Sequence, residues 1–101
     1  MCAVNLENLT DKLIEYVLDG ISDFGDADEG MMRRVKSMKL TLQETREDVW
    51  EICVSMGIAE ARFSLSGEKV SGSIGGSIER LIKQWLSRPL NQDAINKLII
   101  K

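Results

Sequence analysis

The chain has 101 residues, of which 44% are hydrophobic, and carries 13 Lys and Arg against 16 Asp and Glu. One domain over residues 1–101 with a modest core is the expectation at this size. The net charge of −3 and a pI near 4.9 disfavour a binder of nucleic acid or anionic membrane, and no run approaches the 18 apolar residues of a membrane span.

The chain has no histidine. That removes the commonest general base, the Ser-His and Cys-His nucleophile pairs, and histidine-containing zinc sites. Cys2 and Cys53 are too few for a four-cysteine zinc site. They lie far apart, and Asn5, Glu7 and Asn8 interrupt any signal-like apolar run, so a reduced, cytoplasmic setting is expected.

Residues 5–24 read as a first helix. Asn5 is placed to cap it, and Leu6, Leu9, Leu13, Val17, Ile21 and Phe24 form its apolar face, widened by Ile14 and Leu18. Gly20 or Gly25 would end it. Asp26, Asp28 and Glu29 then precede a second helical pattern, where carboxylates oppose the positive end of the helix dipole.

From Gly30 to Gly57, Met31, Val35, Met38, Leu42, Thr45, Val49, Ile52 and Met56 recur at alternating steps of four and three. This spacing predicts one long central helix, about 40 Å at about 1.5 Å per residue, stopped by Gly57. Thr41-Leu42-Gln43-Glu44 also matches a capping box, so a bend between Lys39 and Thr41 is the alternative. Leu40 and Trp50 lie off the stripe and would meet a second neighbour.

After Gly57 the period changes. Residues 61–66 alternate apolar and polar as a half-buried strand does; Gly67-Glu68 can turn, and residues 69–74 return as a second strand. Ser77 is the expected cap of a helix carrying Ile78, Leu81, Ile82, Trp85 and Leu86. Pro89 ends it near Ser87. Asn91 would cap a last helix, with Ala94, Ile95, Leu98 and Ile99 inward. The predicted fold is mainly α: four or five helices around one long central helix, with a small β-hairpin. Trp50 and Trp85 are expected in one contiguous helical core.

No motif predicts an enzyme, a cofactor or a metal. The Gly/Ser-rich segment 66–77 has Ser73 where a phosphate-binding loop needs lysine, and Glu79 would repel an anion there. Residues 26–30 fail the calcium-loop pattern: Gly30 is fifth, Met31 sixth and Ser37 twelfth.

Charge is unevenly distributed along the chain. Residues 1–30 hold eight acids against one base, Lys12, and residues 31–46 hold five bases against one acid. Arg33, Arg34, Lys36, Lys39 and Arg46 form the basic block. It would touch nucleic acid or, as the charge balance favours, pair with the acidic first helix of its own chain. No aromatic lies within it to stack on bases.

Glu7, Asp11, Glu15, Asp19 and Asp23 recur every four residues. Like charges at this spacing repel by about 0.2–0.5 kcal/mol per pair. Such a row is a solvated, solubilising face or a surface that meets a cationic partner. The leading functional expectation is a small acidic protein that binds and neutralises a basic protein through this row. In size and charge it resembles bacterial immunity proteins, antitoxins and phage-encoded inhibitors, a likeness carried by no motif. The alternatives are a nucleic-acid-binding regulator using Arg33, Arg34, Lys36 and Lys39, and a structural homo-oligomer joined through the long helix.

Overall fold

A computed structural model of the chain describes residues 3–23, 28–47 and 49–99. In chain order the elements are β1 (Ala3–Asn5), α1 (Glu7–Asp23), α2 (Glu29–Lys36), β2 (Lys39–Arg46), β3 (Val49–Met56), β4 (Ala59–Ser64), β5 (Lys69–Ser73), α3 (Gly76–Leu86) and α4 (Pro89–Ile99). The strands form one antiparallel sheet whose spatial order follows the chain, β1-β2-β3-β4-β5.

The fold is therefore α+β, and the mainly helical expectation is wrong. No central helix runs from Gly30 to Gly57; that stretch is the short helix α2 followed by strands β2 and β3. Its composition favours strand, since Thr41, Thr45, Val49, Trp50, Ile52 and Val54 are β-branched or aromatic and fit a pleated surface better than a helix. Thr41 opens no helix but faces Cys53 across the β2–β3 ladder. Gly57 caps no helix; it takes φ 64° in the tight turn between Met56 and Ala59, which themselves pair.

Alternation places one face of the sheet in the core. Leu40 and Leu42 of β2, Ile52, Val54 and Met56 of β3, and Ala61 and Phe63 of β4 are all buried. Leu40, Val54 and Ala61 face one another in one cross-strand row, and Leu42, Ile52 and Phe63 in the next. Against this face pack Leu9, Leu13, Val17 and Ile21 of α1, Val35 of α2, Ile78, Leu81, Ile82, Trp85 and Leu86 of α3, and Ile95 of α4. Gly20 brings α1 and α3 close together, for a Cβ there would sit 2.6 Å from Leu81 Cδ2. Trp85 is buried and Trp50 half-buried against the same core, but that core lies between helices and sheet and is not purely helical.

Where elements begin and end also differs from expectation. Asn5, the expected cap of the first helix, is the last residue of β1, opposite Thr41. The chain turns directly into α1: the Leu6 amide donates to the Leu40 carbonyl at 3.2 Å, and the Leu40 amide donates to Thr10 Oγ1 at 3.2 Å. Thr10 thus ties the first turn of α1 to the end of the ladder.

Asp28 caps α2 by accepting from the Met31 amide at 2.7 Å. Ser77 lies inside α3, whose cap position is Gly75, and the Glu79 carboxylate accepts the Ile74 amide at 3.3 Å. Asn91 lies inside α4, whose first residue is Pro89, the position where a missing N–H costs nothing. The Asn91 side-chain amide instead donates to the Trp85 carbonyl at 2.8 Å, closing the end of α3. Leu98, expected inward, is 40% exposed. The expected strand hairpin is present as β4 and β5, and α1, α3 and α4 lie close to their predicted spans. Phe24, Gly25, Asp26 and Cys2 lie outside the described residues. Among those described, no helix is long and apolar enough to cross a membrane.

Candidate partner-binding surface

Helix α1 carries two rows with the same four-residue step. Leu9, Leu13, Val17 and Ile21 are buried, while Glu7, Asp11, Glu15, Asp19 and Asp23 are exposed. The rows are offset by two residues, about 200° around the axis, so they point to opposite sides. Each step of four drifts about 40°, but both rows drift together and stay opposed along the whole helix. One repeat in the sequence therefore yields a core ridge and an acidic ridge at once.

None of the five carboxylates makes an ion pair among the described residues. The pairs seen there include Arg62 with Glu51 at 3.8 Å and with Glu60 at 3.5 Å, and Lys69 with Glu79 at 3.3 Å. The expected internal pairing with the basic block is thus not formed. Arg33, Arg34 and Lys36 are exposed in the last turn of α2, where they favour the negative end of that helix. Lys39 opens β2 and Arg46 closes it, so the block is split between a helix and the two ends of a strand about 23 Å long. The structure does not gather these bases on one helix face.

Beside the acidic ridge runs a groove between α1 and α4. Leu9, Tyr16, Trp85, Leu90 and Ala94 line it, with Glu15 and Asp19 at its α1 rim. It continues past Leu9 and Ala94 to Glu7 and Leu98. Its far end is braced by Arg88, stacked 4.6 Å from the centre of the Tyr16 ring, and by the Tyr16 hydroxyl donating to Gln84 Oε1 at 3.3 Å. The sequence signal was the stripe Leu90, Ala94, Leu98 at steps of four, one residue behind the buried Ile95; with the helix started at Asn91 and Ala94 and Leu98 assigned to a single inward face, the stripe went unread.

The second face of the sheet is polar and, among the described residues, has no helix upon it; every buried helical side chain there belongs to the core on the other side. Thr41, Cys53, Arg62 and Ser71 form its central row. Cys53 is buried there, outside the core cluster. Burial first, then the hydrogen bond and charge of Glu60, push its thiol above the usual pKa, against the opposing influence of Arg62 and Thr41.

The folded state thus holds the thiol proton more tightly than the unfolded chain. The stability this contributes is complete below the unfolded thiol's pKa and is lost as pH rises through the folded value. In a Cys2→Ser background at pH 8, native Cys53 is expected to react with iodoacetamide roughly a hundredfold more slowly than the urea-unfolded chain. Equal rates would show that the thiol is open.

Among the described residues no group of three or more His, Cys, Asp or Glu side chains is placed to hold a metal ion. Comparison with protein-family models, curated proteins and solved structures finds no match.

Proposed function

We propose that this chain is an interaction protein whose acidic α1 ridge binds a basic protein and covers that partner's Lys/Arg-rich surface. The supporting observation is a row of five exposed carboxylates, directed away from the core, with no cation among the described residues paired to any of them. Held apart, they repel one another along the helix. Against a basic partner each gains a charge-assisted hydrogen bond, and their summed field accelerates encounter in a salt-dependent way. Covering a basic surface is also the means by which such a protein would neutralise a partner that works on phosphates or other anions.

The test is the triple variant Asp11→Lys, Glu15→Lys, Asp19→Lys. All three sites are exposed, so circular dichroism should show an intact fold. Binding to a basic protein captured by the parent chain is expected to fall by about tenfold or more, chiefly in the association rate, with a weaker salt dependence. A folded variant that binds as tightly as the parent at low salt would reduce the ridge to a solubilising face.

A further inference from the structure

We propose that the α1–α4 groove seats one amphipathic helix of the basic partner, its apolar side chains lying on Leu90, Ala94 and Leu98 and its Lys or Arg side chains lying along the α1 rim. This rests on the ridge being a partner surface, and it adds where the partner's apolar residues go. Three observations carry it.

The first is shape. The groove follows α1 from Glu7 to Asp19, about 18 Å at the rise of a helix, room for roughly three turns laid alongside. The second is unpartnered apolar surface in register. Leu90 is 83% exposed and Leu98 40%, and with Ala94 they stand at steps of four on one side of α4. An amphipathic helix presents anchors at that same spacing.

The third is charge. Glu7, Glu15 and Asp19 supply the acidic rim, and Lys12 is the one base of α1 that lines the groove. On the α4 side Arg88 is engaged on Tyr16. The two walls therefore differ, and a helix with one basic flank fits in one rotational setting: basic flank toward α1, apolar face down. An extended strand finds no backbone ladder here, because both walls are helices whose backbone groups bond internally. An anionic lipid surface would be repelled by the rim.

The probe is a fluorescently labelled helical peptide of about 14 residues, with Leu at heptad core positions, Lys along one flank and Gln elsewhere. Binding is read by anisotropy to the parent, to the pair Leu90→Gln, Leu98→Gln, and to the pair Glu15→Gln, Asp19→Gln. The parent should bind, and each pair should lose about tenfold or more in affinity while keeping the parent's melting temperature. High salt should weaken the parent complex without abolishing it.

Failure of the parent to bind, or a leucine pair that binds like the parent, overturns the groove. In the latter case a loss confined to the carboxylate pair leaves the ridge reading standing. A loss confined to the leucine pair removes the charge argument and with it the basic partner. If sedimentation shows the parent self-associating, and the leucine pair abolishes it, the occupant is a second copy and the proposal is wrong.

Discussion

Replacing Gly72 by alanine should destabilise the protein by about 3 kcal/mol or more, a large part of the roughly 5–15 kcal/mol typical of a domain. Gly72 has φ 79°, a conformation that costs an L side chain of the order of 1–2 kcal/mol. The new Cβ would also fall on the Glu60 carbonyl oxygen and lie 2.9 Å from Ala61 Cα. Both obstacles are backbone of β4, which cannot yield without breaking the β4–β5 ladder. Gly76→Ala, at the first residue of α3, is the control: no atom lies within 4 Å of its added Cβ, so its effect should stay within about 0.5 kcal/mol. Urea unfolding followed by tryptophan fluorescence reads both. Similar midpoints for the two variants would show that β5 is not seated on β4 as described.

Phe63→Ala should cost about 3–5 kcal/mol, the range for emptying a buried aromatic site. Phe63 is fully buried and faces Ile52, at the centre of the sheet's inner row. Its neighbour Arg62 points to the other face, with a side chain 40% exposed and two ion pairs to Glu51 and Glu60. Arg62→Ala should therefore cost no more than about 1 kcal/mol. Adjacent residues with effects this different are the mark of a strand in a sheet with one buried face. Comparable losses at 62 and 63 would contradict that arrangement.

Helix α1 could be read from the sequence because its apolar and acidic residues repeat at the same step and point opposite ways. The hairpin β4–β5 could be read because Ala61, Phe63 and Leu65 alternate with polar residues and a glycine follows. The stretch 39–56 was misread for a specific reason. Leu42, Ile52 and Met56 satisfy a helical stripe, but all three are even-numbered and satisfy a strand equally well. Leu40 and Val54 decide between the two: a strand buries them with Leu42 and Ile52, whereas the helical stripe includes neither.

Three things disguised the alternation. The register shifts between Glu44 and Arg46, no Gly or Pro marks the β2–β3 turn, and Cys53 is buried on the otherwise polar face. The acidic row was legible as a pattern. Its isolation from the basic block was not, because charge balance along a chain does not say which elements lie side by side. The groove needed the placement of α4 against α1, which local periodicity does not contain.

The outermost strand β5 has a consequence for how copies of this protein behave when crowded together. A long, flat border strand is a template on which another chain can add its own strand, the first step toward fibrous aggregates. β5 is a poor template. It is five residues long, its pairing with β4 slips between Arg62 and Phe63, and Gly72 bends it out of the extended region. Lys69, at its first position, places a charge on the border and is held by Glu79 of α3. The distortion that makes Gly72 irreplaceable for the fold also denies an incoming strand a straight row of amides and carbonyls, so a sheet left bare on one face is still closed to growth at this border.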